Sequence, residues 1–190
     1  MKKILLSSLA LASILSSVSL AKEFVIDQAH SNIGFKIKHL QISNVNGNFK
    51  TYNAEINFDD KEMKFNKLDA KINIASINTE NKTRDAHLLQ NDFFNAKVYP
   101  EMTFIMSKYE KISNEKGKMY GKLNIAGVSK EIILDTEIGG VIKTDKGKEK
   151  AGFNLQGKIK RSDFKFAPNT STTSLSDEIQ INIEVEMNEK

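Results

Sequence analysis

Residues 179–187, IQINIEVEM, alternate between apolar and polar side chains without a break. Successive side chains of a β-strand point to opposite faces, so this stretch predicts a strand that buries one face and exposes the other. Its polar positions include Glu184 and Glu186, which an antiparallel sheet can leave in water and a doubly covered parallel sheet cannot. The sequence therefore predicts an antiparallel sheet with one apolar face, which must close on itself.

Seven earlier stretches repeat the period of two. Their apolar sets are Ile33, Phe35 and Ile37; Tyr52, Ala54, Ile56 and Phe58; Leu68, Ala70, Ile72 and Ile74; Met102, Phe104 and Met106; Met119, Gly121, Leu123 and Ile125; Ile132, Leu134 and Ile138; and Ala151, Phe153, Leu155 and Ile159. Short turns separate them, which predicts an all-β meander closed as a sandwich or as an eight-stranded antiparallel barrel. Eight strands leave an interior that is either just filled or just wide enough for one small ligand. The short segment 24–26 is predicted to be an edge or closing piece, and Gly47, before the second stretch, suggests a bend or bulge.

One interruption of the meander predicts a helix over about residues 80–91. Ala86, Leu89 and Phe93 follow helical spacing, and Asn78 or Asn81 can cap the start. Pro100 keeps the helix from running into the next strand. The stretch 167–176, rich in Ser and Thr, has no period and predicts a loop, a candidate lid over one barrel end.

The N-terminus predicts export. Lys2 and Lys3 precede an apolar run that ends in Ser19-Leu20-Ala21, a small-x-small cleavage site, so residues 1–21 are predicted to be a signal peptide and 22–190 one domain. The formal net charge of +4 then falls to about +2, since two lysines are removed. There is no cysteine to brace the fold, and no later apolar run that would span a membrane as a helix.

Charge and aromatic content disfavour two other classes of protein. Charges of both signs are spread evenly along the chain, which disfavours nucleic acid as a partner. The lack of tryptophan and the count of four tyrosines disfavour an outer-membrane barrel, because such barrels carry aromatic girdles.

A series of short motifs resembles the YceI-like family of exported bacterial proteins. They are Asp27-x-x-His30-Ser31, His39-Leu40, Gly47-x-Phe49, Ser76-Ile77-Asn78-Thr79, Arg84-Asp85-x-His87-Leu88, Asp92-Phe93-Phe94, Tyr99-Pro100-x-x-Thr103-Phe104, the run 121–130, Arg161-Ser162-Asp163-Phe164 and Leu175-Ser176-Asp177. The chain departs from the pattern of that family at three positions. Asn78 stands where the pattern has aspartate, Asn124 where it has threonine, and Lys165 where it has glycine.

The resemblance implies a soluble periplasmic protein with a lipocalin-like barrel that encloses a long apolar ligand, a polyisoprenoid or a fatty-acid-like amphiphile. A homodimer is compatible with it. Together with the alternation, it implies a ligand-binding lining made of Phe35, Ile37, His39, Phe49, Ile56, Ile72, Leu88, Leu89, Phe93, Phe94, Phe104, Met106, Leu123, Phe153, Leu155, Phe164 and Ile181.

Charged residues near the helix have two interpretations. Arg84, Asp85, Arg161 and Asp163 either form ion pairs that fasten the helix to a strand end, or, if the arginines face a barrel mouth, bind the polar head of the ligand. The alternative functions are a filled barrel that acts as a stress-response or interaction module without a lipid, and an enzyme that acts on an apolar substrate.

The three histidines are predicted to be structural. His30, His39 and His87 form neither an H-x-H nor an H-x-x-x-H pair, so no metal ion is predicted. No G-x-S-x-G, cysteine nucleophile or nucleotide loop occurs, and the sequence predicts a non-catalytic protein without a cofactor other than a bound lipid.

Overall fold

The computed structural model describes residues 21–190, so the predicted signal peptide lies outside them except for Ala21. The chain forms eleven strand segments and one α-helix among these residues. The strands are β1 (Lys22–Ile26), β2 (Asn32–His39), β3 (Ser43–Phe49), β4 (Tyr52–Asp59), β5 (Lys64–Asn73), β6 (Ile77–Asn78), β7 (Glu101–Lys111), β8 (Lys116–Ile125), β9 (Val128–Lys143), β10 (Glu149–Lys160) and β11 (Leu175–Glu189), and α1 is Lys82–Leu88.

The segments form a closed antiparallel barrel of eight strands, which confirms the predicted fold class. Each of the eight barrel strands is called a wall, whether it is one segment or two. Three walls are long strands broken by a kink, namely β1 with β2, β3 with β4, and β5 with β6; each remaining strand makes one wall. The last strand closes the ring, since β11 pairs with β10 on one side and with both β1 and β2 on the other. The short segment 24–26, predicted as an edge or closing piece, is paired on both sides and forms half of the first wall.

Side-chain hydrogen bonds fix two of the kinks, and the residues that make them belong to the motifs Asp27-x-x-His30-Ser31 and Ser76-Ile77-Asn78-Thr79. Between β1 and β2, a 3₁₀ turn at Gln28–His30 is capped by Asp27, and the Ser31 hydroxyl exchanges hydrogen bonds with the backbone of Glu186. Between β3 and β4, the Ser76 hydroxyl accepts from two successive backbone amides at 3.1 and 3.0 Å. These bonds satisfy backbone groups that leave the ladder.

The predicted bend or bulge at Gly47 is wrong. The residue lies inside β3 with unbroken pairing to β2, opposite Phe35. A Cβ at this position would lie 2.4 Å from the Phe35 ring, so the glycine makes room for an aromatic side chain that crosses from the next strand.

The helix follows β6, between the third and fourth walls, as predicted, but it is shorter than predicted. It spans Lys82–Leu88, and the Asn81 side chain caps it by accepting from the Arg84 amide. After Leu88 the helical pattern of hydrogen bonds ends, since the Phe93 amide donates to the Gln90 carbonyl and the Phe94 amide to the Leu88 carbonyl. The chain continues in turns as far as Tyr99. Within the described residues, no helix has the length and apolar character needed to cross a membrane.

The two ends of the barrel differ. The mouth end carries the turn 40–42, α1, the turn 126–127, a 3₁₀ turn at Arg161–Phe164 and the loop 167–174; the plug end carries the turns 60–63, 112–115 and 144–148. Inside the plug end, six large side chains are buried and fill the interior: Phe24, Phe58, Phe65, Tyr109, Met119 and Met187. The Phe65 ring lies 4.9 Å from that of Phe58 and 5.3 Å from that of Tyr109, so this half is a packed core.

Candidate ligand-binding cavity

The half of the barrel nearer the mouth end encloses a cavity of about 470 Å³. This volume lies within the range of about 300–1,000 Å³ typical of ligand pockets. Its floor includes Phe153, whose ring contacts the Phe65 ring of the plug at 4.9 Å. Its wall along β11 is Ile179, Ile181, Ile183 and Val185, so the strand that decided the fold supplies one side of the cavity.

Polar side chains occur at one end of the lining only. They are His39, Arg84, His87, Arg161, Thr170 and Ser174, all from elements of the mouth end. His39 and His87 line the cavity and are also exposed to solvent, which marks the opening. None of the residues from 21 to 190 that line the cavity carries a carboxylate. The cavity is therefore apolar in its depth and polar and cationic at its entrance.

A chain of aromatic rings surrounds the entrance. The Phe94 ring lies 6.0 Å from Phe49 and 4.6 Å from Phe166, and Phe93 packs edge-on against Phe166 at 5.3 Å. The segment that follows α1 supplies two of these rings, and the backbone amide of Ala167 holds it to the loop by donating to the Asp92 carbonyl. The helical insertion thus builds the rim of the cavity.

Arg161 organises the loop that covers part of the mouth. Its side chain is buried, and its guanidinium donates at 2.6–3.3 Å to the backbone carbonyls of Phe166, Ala167, Thr170, Leu175 and Ser176. No ion pair within 4.0 Å in the described part of the chain includes Arg161. The predicted loop over one barrel end is therefore held by hydrogen bonds to a single buried cation, and not by a carboxylate.

The same turn contains Lys165, one of the positions at which the chain departs from the pattern that its motifs resemble. Lys165 adopts a left-handed conformation with φ of 54°, which glycine accepts without a steric penalty. Asp177 fastens the start of the turn by accepting from the Ser162 amide and hydroxyl. Burial opposes ionisation of Asp177, but these hydrogen bonds and the Arg161 charge lower its pKa overall.

Replacing Arg161 by methionine should destabilise the protein and release this loop. We expect Arg161→Met to lower the free energy of unfolding by about 3 kcal/mol, because buried carbonyls left without a donor cost about 1–3 kcal/mol each. Arg161→Lys should recover only part of the loss, since an ammonium group cannot reproduce the planar set of donors. Urea denaturation and amide exchange over 166–176 measure this, and an unchanged midpoint with unchanged exchange contradicts it.

The predicted ion pairs between the helix and a strand end do not form among the described residues. The Asp85 carboxylate instead accepts from the Thr79 amide at 2.9 Å and from its hydroxyl, and Arg84 donates to the Thr79 hydroxyl and carbonyl oxygens. Asp163 is exposed at the start of the 3₁₀ turn. Of the four charged residues, only Arg84 and Arg161 line the cavity.

Most of the predicted lining residues come together around the cavity. Those that line it are Phe35, Ile37, His39, Phe49, Ile56, Ile72, Leu88, Phe93, Phe94, Phe104, Leu123, Phe153, Leu155, Phe164 and Ile181. Leu89 does not, because α1 ends at Leu88 and the helical spacing no longer applies. Met106 does not either, since it packs against the core beside the irregularity between Met106 and Lys108 in β7.

Sequence reasoning missed several lining residues. Val45 lies on β3, whose asparagines and glycine obscure the strand pattern, and Phe166 lies in a loop without a period. Thr170 and Ser174 lie in the same loop. No sequence signal marks Phe166, because its burial depends on the left-handed conformation of Lys165, which the sequence does not show.

A second cluster of titratable groups lies on the outer surface near β1. Asp27, His30 and Glu186 place one ligand-type atom each within 4.8 Å of one another, and His30 Nδ1 is 3.2 Å from the Asp27 carboxylate. Lys150 bonds both carboxylates. The hydrogen bond from His30, opposed by desolvation, holds the pKa of Asp27 at about 2. The arrangement is an ion-pair network that fastens the first wall to β11.

The fold and the cavity define a lipocalin-like barrel, hollow at one end. Residues 24–187 match the YceI-like domain model, and the chain belongs to that family. It is 38% identical over 187 residues to a UPF0312 protein of Photorhabdus laumondii, covering 97% of each chain.

Two solved structures share the fold. A crystal structure of the Campylobacter jejuni YceI protein has a TM-score of 0.78 at 69% identity, covering 87% of this chain and 96% of that one. A polyisoprenoid-binding domain from Saccharophagus degradans has a TM-score of 0.68 at 12% identity, covering 89% and 99%. The second likeness concerns the fold alone.

Proposed function

We propose that this protein binds one long-chain apolar amphiphile, a polyisoprenoid or a fatty-acid-like lipid, inside the barrel, and carries or stores it in the periplasm. The observation that carries the proposal is the cavity, which is apolar in depth and polar only at its mouth. A hydrocarbon chain gains about 0.8 kcal/mol per buried CH₂, so such a site holds a lipid through shape and dryness without specific chemistry. The Saccharophagus degradans domain with the same fold is described as polyisoprenoid-binding.

The mouth suits a polar or anionic head group. The Arg84 guanidinium lies in the lining, and none of the described lining residues is acidic. The Asp92 carboxylate at the rim lies 3.3 Å from His87 Nε2. Arg161 adds positive charge, although its hydrogen bonds are directed to the covering loop. We propose that Arg84 contacts the head while the tail extends toward Phe153.

We propose binding and not catalysis. His87 Nε2 lies 3.3 Å from an Asp92 oxygen, the kind of pair that an acid–base mechanism needs, but both side chains are more than half exposed and lie at the rim. General acid–base catalysis gains from groups held against the reacting atoms. The deep part of the cavity offers only aliphatic and aromatic groups.

Mass spectrometry of organic extracts tests the proposal. Protein purified from its natural compartment without detergent should release about one chain-like amphiphile per barrel, and the same extraction of a mock purification should not. A preparation with a full complement of folded protein and no extractable lipid would favour the interaction module without a lipid.

A further inference from the structure

The turn that joins β2 and β3 projects apolar side chains into solvent at the mouth end. We call residues 40–42 the mouth tip. Leu40 is 52% exposed and Ile42 is 86% exposed. Leu40 and Gln41 both have positive φ, 49° and 58°, a turn conformation that favours asparagine and glycine. The chain therefore places an apolar residue where both backbone preference and contact with water disfavour it.

The mouth tip joins two strands whose inner face lines the cavity. Phe35 and Ile37 on β2 and Val45 on β3 line the cavity from the inner face of the same hairpin. His39, directly before the tip, lines the entrance. The apolar inner face of this hairpin thus reaches Ile37 and Val45, and one polar pair, His39 with Ser43, separates it from the exposed apolar tip.

The hairpin that carries the mouth tip and the loop beside it contain no acidic residue. Beyond them, Asp177 and Glu178 lie on β11 next to the residues that pair with β2; the Ser162 amide and hydroxyl donate to Asp177, and Glu178 pairs with Lys158 at 3.0 Å. Residues 28–54 hold no aspartate or glutamate and three lysines, Lys36, Lys38 and Lys50, and the loop 167–176 holds no charged residue. The tip is tied to that loop, since the Leu40 amide donates to the Ser174 carbonyl at 2.9 Å and the Gln41 amide group donates to the Thr172 carbonyl at 2.6 Å. Basic residues beside exposed apolar ones are the pattern that binds anionic lipid surfaces.

We propose that the mouth tip docks on a lipid bilayer that contains anionic phospholipids, so that the cavity opens against the membrane and its ligand passes along the β2–β3 hairpin. This inference rests on the proposed function, because it assigns the surface from which the ligand comes. Leu40 and Ile42 enter the interfacial region, while Lys36 and Lys38 meet lipid phosphates. The contact is peripheral, which agrees with the absence of a membrane-spanning helix among the described residues.

The test compares two double variants. Leu40→Asn with Ile42→Ser removes both apolar tip residues, and asparagine accepts the left-handed conformation, so folding should be kept. Ile112→Ser with Ile142→Ser is the matched control, because these isoleucines are 61% and 64% exposed at the plug end. Each is assayed by flotation with ligand-free vesicles of phosphatidylglycerol and phosphatidylethanolamine, and by transfer of a fluorescent long-chain fatty acid from the same vesicles.

We expect the tip variant to lose flotation and to take up the probe from vesicles about tenfold or more slowly, since two apolar side chains are lost from the contact. The control variant should match the parent protein, and the tip variant should bind the probe from detergent solution with unchanged affinity. High salt should weaken flotation of the parent. Equal flotation and transfer by the tip variant, or no flotation of the parent, overturns the proposal. Failure of the parent to bind the probe from detergent refutes the proposed function instead, while flotation still reports on docking.

Discussion

Phe104→Asp should abolish the native state. The Phe104 side chain is 6% exposed, lines the cavity and lies over Gly121 of the next strand, where an added Cβ would come within 2.4 Å of the ring. Losing a buried phenylalanine costs about 3–5 kcal/mol, and placing a carboxylate in an apolar wall adds several more. Together these approach the whole stability of a domain of this size, about 5–15 kcal/mol.

Ile105→Asp is the matched control for Phe104→Asp. Ile105 is the next residue of β7, points to the opposite face and is 53% exposed, with Lys122 as its partner on β8. The same substitution there should change the melting temperature by only a few degrees, about 2–4 °C for each 1 kcal/mol. Thermal unfolding followed by circular dichroism distinguishes the two. If both variants melt alike, the assignment of faces along β7 is wrong.

The second large effect concerns ligand binding without loss of stability. Ala70 lines the cavity and is partnered by Ala54 on β4 and Phe104 on β7. We expect Ala70→Phe to place a ring in the cavity and displace about four methylene equivalents of a bound chain, which weakens binding by about 3 kcal/mol, or about 200-fold. Folding should be preserved, because the ring enters the open cavity and the crowding of neighbouring side chains costs about 1–3 kcal/mol, less than the stability of such a domain.

The measurement is a titration with a fluorescent long-chain fatty acid, together with a melting curve. Ala75→Phe serves as the control, because it is the same substitution at a position away from the cavity. Ala75 is exposed in the short turn between β5 and β6. A variant at Ala70 that folds and binds with parental affinity would mean that the ligand does not occupy this cavity.

The sequence predicted the barrel because alternation reports directly on which side chains are buried. The inward set of β11 and the closing role of 24–26 follow from that rule and are confirmed. The rule fails where backbone constraints decide. Gly47 looked like a bend but accommodates a ring from β2, and β3 was missed because asparagine and glycine weaken its strand signal.

The site was predicted less completely than the fold, for a physical reason. Residues on regular strands, such as Ile72 and Leu155, could be assigned to the inner face, whereas Phe166 depends on a left-handed turn and five hydrogen bonds from Arg161. Nor could alternation tell how far side chains would fill the interior. The same inward pattern is filled around Phe65 and hollow above Phe153.

That division between a solid half and an open half has an evolutionary consequence. Because the rings around Phe65 supply tight packing on their own, exchanges of one apolar side chain for another around the cavity can accumulate at small cost to the native structure. Descendants of one ancestral sequence could therefore acquire different ligands by exchanging a few residues of the cavity lining while the packed plug end stays unchanged.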